Sequence, residues 1–337
     1  MIKDAIDLLS SGGNLEAHLM NSVMEEIMSG KAQTPEIVDF LRALDKKGET
    51  AEELVAAVQV MRRYATAINA KLPVVLDTCG TGGDAKGTFN ISTAAAFVAS
   101  GAGISVAKHG NRSVSSLSGS ADVLEALGVN IGLSPTKVNE CLEKVGIAFL
   151  FAQSLHPAMK YAMPARKEIV KRTIFNILGP LSNPANAAHQ LIGVYDKRWV
   201  SVLAEVLLKL GSKHALIVHG EDGLDEISTT TSSFAAEVYQ GEISAYKLDP
   251  QDFGIKKAKL AQLQGKDAKT NAVILLDILK GAMGPCRDIV LLNAAAAIYV
   301  ADAAVSIKEG IALAQHSIDS KKALEKLELL KKFSRNG

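Results

Sequence analysis

The pattern of apolar residues changes at Pro73, and that break constrains the fold more than any other feature of the chain. Before it, apolar residues recur only at helical spacing: Leu15, Leu19, Val23 and Ile27 form one stripe, and Ile37, Phe40, Leu41 and Leu44 another. Thr34-Pro35-Glu36 supplies a cap and a proline for a first helical turn, and Thr50-Ala51-Glu52-Glu53 is a capping box before Leu54, Val58 and Met61. Such amphipathic helices must pack on one another or on a partner. After Pro73, short apolar runs alternate with helical segments. The runs are 74–76, 103–107, 147–151, 190–194 and 215–218; the helices between them are 93–100, 121–127, 135–145 and 199–210. That alternation predicts a mostly parallel sheet covered by helices on both faces. Residues 234–248 read instead as two strands about Gln240-Gly241-Glu242, an antiparallel addition. The predicted fold is α/β, with a small N-terminal helical domain, 1–72, joined in space by part of 160–190, and a larger α/β domain, 73–337.

Composition narrows the function. The 37 basic residues nearly cancel the 36 acidic ones, so a net charge of +1 gives no global footprint for nucleic acid or an anionic membrane. Hydrophobic residues at 48% exclude a disordered chain. Cys79, Cys141 and Cys286 lie too far apart for a zinc spacing or a disulfide framework. The first residues lack the apolar region of a signal peptide, and the most apolar stretch, 294–301, falls well short of the roughly 18 residues of a membrane span. The expectation is a soluble, cytoplasmic protein.

Chemistry concentrates in loops that follow the predicted strands. Asp77-Thr78-Cys79-Gly80-Thr81-Gly82-Gly83-Asp84 is a glycine-rich turn whose backbone N–H groups can approach an anion beside a helix start. It has neither the G-x-G-x-x-G spacing nor the Gly-Lys-Ser/Thr ending of a P-loop. Asp84 suits a metal, a cation or sugar hydroxyls better than a bare phosphate. Thr88-Phe89-Asn90-Ile91-Ser92-Thr93 opens a helix, where Asn, Ser and Thr are also ordinary caps. Lys108-His109-Gly110-Asn111-Arg112-Ser113-Val114-Ser115-Ser116 gathers cations, an amide and hydroxyls after the next strand. Three such loops at the carboxyl ends of one sheet point to a polyphosphate site. Asp222-Gly223-Leu224-Asp225-Glu226 is an acidic turn on its own and, beside a polyphosphate, a magnesium-binding pair. Pro164-Ala165-Arg166, with Arg172-Thr173 beyond it, offers a guanidinium either to solvent or to a carboxylate.

Those motifs, in that order, are similar to the anthranilate phosphoribosyltransferase family. GTGGD, TFNIST, KHGNR-x-x-SS-x-SG-x-ADVLEALG, RTIFN-x-LGPL-x-NP and HG-x-DGLDE carry the resemblance, which runs over nearly the whole chain. It implies transfer of a phosphoribosyl group from phosphoribosyl pyrophosphate to the amine of anthranilate, in tryptophan biosynthesis, with no covalent nucleophile. It also implies a pair of magnesium ions per subunit and a homodimer. Carried over by position, Gly80, Gly83, Asp84, Thr88, Asn90, Ile91, Ser92, Thr93, Lys108, His109, Gly110, Asn111, Arg112, Ser113, Val114, Ser115, Ser116 and Ser120 match donor contacts. Gly80, Asn111 and Arg166 match anthranilate contacts, and Ser92, Asp225 and Glu226 match magnesium contacts. Ala85 and Val170 stand where many members have glycine, and Leu117 where a polar or basic residue is common. The alternatives are a nucleoside phosphorylase-like enzyme, which would need no acceptor-carboxylate site, and a nucleic-acid-binding relative, which would need a basic surface.

Overall fold

The computed structural model describes residues 1–113 and 117–335. It opens with helices α1 (Ile2–Ser10), α2 (Ala17–Met28), α3 (Thr34–Lys47) and α4 (Ala51–Tyr64). Alternation follows: β1 (Leu76–Asp77), α5 (Ile91–Gly101), β2 (Val106–Gly110), α6 (Ser120–Ala126), α7 (Pro135–Val145), β3 (Ile147–Phe151), α8 (Ala152–Leu155), α9 (Met163–Ile169) and α10 (Ile174–Leu181). Then come β4 (His189–Gly193), α11 (Arg198–Lys209), β5 (His214–Gly220), β6 (Ser233–Tyr239) and β7 (Glu242–Leu248). Helices α12 (Ala268–Leu279), α13 (Pro285–Val300), α14 (Ile307–Asp319) and α15 (Lys322–Arg335) close the chain.

The strands form one sheet in the order β3-β2-β1-β4-β5-β6-β7. Strands β1 to β5 pair in parallel, and β6 and β7 extend the sheet antiparallel. Strand order reverses between β1 and β4, the place where open α/β sheets leave a crevice outside their carboxyl ends. Val74 and Val75 pack half-buried on the core without pairing, so β1 is shorter than the apolar run suggests and its loop begins at Thr78.

One core lies under α1 to α4. It takes in Ala158, Ala162 and Ala165, then Leu178 of α10 and Leu203 of α11, and reaches the sheet at Ile192 and Ile217. The apolar stripes of α1 to α4 are thus covered within the chain, so their amphipathicity does not by itself demand a second copy. The capping box at Thr50 does more than start α4. The fully buried Glu53 carboxylate accepts from Thr50 N at 2.8 Å, Leu15 N at 2.8 Å and Lys47 Nζ at 2.6 Å, tying three segments together.

The other core surrounds α5 and α13, whose alanines are buried. Small residues let these helices approach closely: a Cβ at Gly310 of α14 would lie 2.5 Å from the Ala295 carbonyl. Helix α7 is bounded as its sequence suggests, by the Ser134 cap and by Gly146 in the left-handed region. Among the described residues no helix is long and apolar enough to cross a membrane.

Candidate active site

The crevice floor is a buried hydrogen-bonded knot between β1 and β2. Lys108 Nζ donates to Thr78 O at 3.1 Å, Thr78 Oγ1 at 3.2 Å and Ser92 Oγ at 3.3 Å, which fixes an ammonium at the amino end of α5. Asp77 accepts from His109 N at 3.1 Å and Asn183 Nδ2 at 2.7 Å. Burial pushes the Asp77 carboxyl up to about 6, although Lys108 pulls it down. His109 Nδ1–H donates to Gly179 O at 3.1 Å. Burial, then the neighbouring His156, pushes His109 down to about 3, so its ring is neutral. Asp77, Cys79 and His109 bring ligand atoms within 4.8 Å of one another. The Asp77 carboxylate and His109 Nδ1 are already engaged, His109 Nε2 has no partner among the described residues, and burial pushes the Cys79 thiol up.

The carboxylates gather on one wall. Ser92 N donates to Glu226 Oε1 at 3.0 Å, and the Gly82 backbone tempers the pKa of Asp225. Asp84 Oδ1 accepts from Lys86 N at 3.0 Å, while Asp84 Oδ2 is buried with no donor among the described residues. The group facing it is Asp225, another acceptor when ionised. Burial, then repulsion from Asp84 and Glu226, raises the Asp225 pKa. Burial raises Glu226 to about 8 against the pull of Lys108. Both residues are partly exposed at the crevice.

Glycines make this wall possible. A Cβ at Gly80 would lie 2.9 Å from Gly193 O, and one at Gly193 would overlap the Asp225 carbonyl. Behind the wall, Asn293 of α13 clamps the next residue: its Oδ1 accepts from Ile227 N and its Nδ2 donates to Ile227 O, both at 2.9 Å. Asp222 pins the same loop through Ser228 Oγ at 2.7 Å and through Thr230 Oγ1. Sequence reasoning missed Asn293 and Asn183. A buried polar residue within an Ala-rich helix was the available signal for the first.

The remaining predicted donor residues are less uniform. Asn90 occupies the cap position of α5 without capping it; its Nδ2 donates to Ser118 O at 3.1 Å and its Oδ1 accepts from Asn271 at 3.0 Å. Thr88 pairs with Gln264 in a bridge that closes the loop, and Ile91 and Thr93 are buried in the first turn of α5. A Cβ at Gly110 would overlap Ser120 Oγ, whose hydroxyl donates to Asn111 O at 3.4 Å. Arg112 turns to Glu125 and Asp122 on α6, so its charge is engaged there, and Ser113 N donates to Asp122 at 3.1 Å. Val114, Ser115 and Ser116 lie outside the described residues.

On the acceptor side, Asn111 Oδ1 accepts from Arg112 N at 2.8 Å and Gln153 Nε2 at 3.3 Å. The half-buried Arg166 guanidinium sits 5.6 Å from the centre of the Phe175 ring and has no hydrogen-bond acceptor among the described residues. Burial lowers its pKa. Helix α9 ends at Val170, which adopts φ +58° and is 87% exposed; Ala85 adopts φ +57° in the donor loop. Both positions thus keep the left-handed backbone that glycine favours while carrying a Cβ.

A doubly covered parallel sheet with a glycine loop, a buried lysine and clustered carboxylates at its switch point, capped by a helical bundle, defines a class. The description "Glycosyl transferase family, a/b domain" matches residues 72–324, and "Glycosyl transferase family, helical bundle domain" matches 3–65. Within that class, the chain belongs to the anthranilate phosphoribosyltransferase family. It is 52% identical over 323 residues to the anthranilate phosphoribosyltransferase of Petrotoga mobilis, covering 96% of this chain and 94% of that one. The crystal structure of the Thermus thermophilus enzyme superposes with a TM-score of 0.94 at 41% identity, covering 98% of this chain and 99% of that one. The Saccharomyces cerevisiae enzyme, solved in complex with PRPP and Mg, gives 0.90 at 29% identity, with coverage of 100% and 98%.

Proposed function

We infer that the protein transfers the phosphoribosyl group of phosphoribosyl pyrophosphate to the amine of anthranilate, forming N-(5-phosphoribosyl)anthranilate and pyrophosphate in tryptophan biosynthesis. The observation that carries this reading is the meeting, where strand order reverses between β1 and β4, of the glycine loop, the amino end of α5, buried Lys108 and three carboxylates. Family membership supports it over the nucleoside phosphorylase and nucleic-acid-binding alternatives.

In this reading the residues matched to the donor hold its phosphates and ribose. The bond from the ribose C1 to pyrophosphate breaks as positive charge builds at C1. The amine lone pair of anthranilate forms the new N–C1 bond, and the nitrogen then loses a proton. An aryl amine is already a nucleophile, so no activated Ser or Cys is required. Lys108, held by Thr78 and Ser92, is a preorganised cation for the departing negative charge, and N–H groups at the start of α5 add to it. Arg166 pairs with the anthranilate carboxylate and Asn111 orients the ring, a proximity contribution.

Ser92, Asp225 and Glu226, with Asp84 facing Asp225, offer oxygen atoms only, and Asp84 Oδ2 lacks a donor among the described residues; oxygen donors of this kind suit magnesium, which the pyrophosphate would bring to them. Bound there, magnesium would neutralise charge on the leaving pyrophosphate. The reading includes a pair of such ions per subunit and a soluble, cytoplasmic homodimer, which light scattering at micromolar concentration tests.

The activity itself is tested by loss of anthranilate fluorescence on adding phosphoribosyl pyrophosphate and magnesium. Arg166→Ala should raise KM for anthranilate about tenfold or more, as expected for a lost charge-assisted hydrogen bond of about 1.5–3 kcal/mol. KM for the donor should stay near its original value. No loss of anthranilate with the unaltered protein overturns the reading.

A further inference from the structure

Arg172 belongs to neither set of substrate contacts above, yet it touches the donor loop from the acceptor side. It stands two residues beyond Val170, between α9 with its Arg166 and α10. Its Nη2 donates to the Gly83 carbonyl, and its guanidinium carbon lies 3.9 Å from the centre of the Tyr195 ring. Tyr195 is itself fastened to the donor loop, since its N–H donates to Thr81 Oγ1 at 3.1 Å. Its phenol oxygen accepts from Trp199 Nε1 at 3.2 Å, which holds the ring in place. Thr81 N in turn donates to Gly193 O at 2.9 Å, the carbonyl against which Gly80 packs. A Cβ at Gly83 would sit 3.3 Å from Arg172 Nε, and Gly83 adopts φ +79°, so the arginine comes close where glycine is already needed.

Resting on the function inferred above, we propose that Arg172 is a positioning residue that couples the two substrates, joining the acceptor segment to the donor loop through Gly83 and Tyr195. The physical reason is the planar fork. One face stacks on an aromatic ring while an edge N–H reaches a carbonyl, so the guanidinium transmits the orientation of the loop as well as its distance. A donor-side ligand that orders residues 80–84 fixes the Gly83 carbonyl, and with it the segment that follows Arg166. Sites joined in this way change each other's binding free energy equally.

The test follows anthranilate binding by its own fluorescence, with and without saturating magnesium pyrophosphate, a pair that cannot react. In the unaltered protein, magnesium pyrophosphate should tighten anthranilate binding about fivefold, the lower range of coupling between sites. Arg172→Ala should abolish that tightening while leaving affinity for anthranilate alone essentially unchanged. Arg172→Lys, which keeps the charge and loses the fork, should restore only part of it. Tyr195→Leu removes the stacking platform and should weaken the coupling in the same direction, a second measure if Arg172→Ala does not fold. Equal tightening in the unaltered and Arg172→Ala proteins overturns the proposal. So does a uniform loss of both affinities, or an unaltered protein without coupling. A protein that couples the two ligands but never consumes anthranilate with phosphoribosyl pyrophosphate overturns the inferred function and leaves the role of Arg172 in binding standing.

Discussion

At the end of the sheet away from the crevice, His214 lies between two carboxylates, with Asp302 Oδ1 at 2.7 Å from Nδ1 and Glu237 Oε1 at 2.8 Å from Nε2. Tyr246 OH donates to the other Glu237 oxygen at 2.8 Å, and the rings of Tyr239 and Tyr299 flank the imidazole at 4.5 and 4.8 Å. His189 alongside donates Nδ1–H to Val300 O at 2.7 Å. Burial alone would lower the His214 pKa, but its hydrogen bonds to Glu237 and Asp302 raise it. Glu237, which burial would push up, is held below its ordinary value by His214. The crevice end uses the same residue types differently. Asp84 faces Asp225, Glu226 lies near enough to repel it, and Asp225 and Glu226 both have raised pKa values. One end sets a histidine between two carboxylates, with a tyrosine hydroxyl on one of them; the other sets carboxylates beside one another. The contrast separates two uses of charge: a hydrogen-bonded cluster of opposite charges stabilises the framework as it stands, whereas neighbouring acceptors repel one another until a cation relieves them.

The largest expected effect strikes the crevice alone. Replacing Asp225 by Ala and Glu226 by Gln should lower turnover about 100-fold or more, the scale on which preorganised electrostatic groups act. The thermal midpoint, followed by circular dichroism, should hold or rise as the repulsion with Asp84 is removed. A midpoint that falls with activity would assign the pair to the framework and erase the contrast. The next effect strikes the opposite end. His214→Ala should cost about 3 kcal/mol in denaturant unfolding, the scale for stripping a buried ion pair of one partner, with kcat preserved. The pH dependence sharpens this. The folded pKa of His214 is raised, so its contribution is complete below the unfolded histidine value of about 6.5 and is lost as pH rises through the folded value. Unfolding free energy measured from neutral into alkaline pH should show that loss in the unaltered protein and not in His214→Gln. The smallest effect asks whether the crevice side also stores backbone strain. Val170→Gly should stabilise the protein by about 0.5–1 kcal/mol, relief of a left-handed β-branched residue less the added chain entropy.

Much of this architecture follows from local patterns. Helix α7 can be read from Ser134, Pro135 and Gly146 alone, and the β6–β7 hairpin from its alternation about Gly241. The glycine loop and the acidic turn are likewise visible as separate features. What the sequence does not disclose is which distant groups meet. That Asp84 faces Asp225, that Asn183 supports Asp77 and that Arg112 turns to Glu125 are consequences of packing between segments far apart in the chain. Strand β1 shows the same limit, because three apolar residues specify burial but only tertiary pairing decides which of them join the sheet. Val170 and Ala85 show the opposite case. As departures from glycine they raise a question about the backbone, and the answer is that the backbone keeps its left-handed turn and carries the side chain.

The Asn293 clamp has a consequence for the order of events as the chain is made. Synthesis proceeds at about 5–20 residues per second, and N-terminal units generally fold first. Every carboxylate, lysine and glycine of the crevice has left the ribosome well before Asn293 does. The loop that carries Asp225 and Glu226 gains its backbone partner at Ile227 only when α13 docks. A nascent chain halted after β7 would hold the carboxylates and lysine of the crevice, with the loop pinned by Asp222 but without the Asn293 tether, so the wall is completed late, by a helix packed behind it.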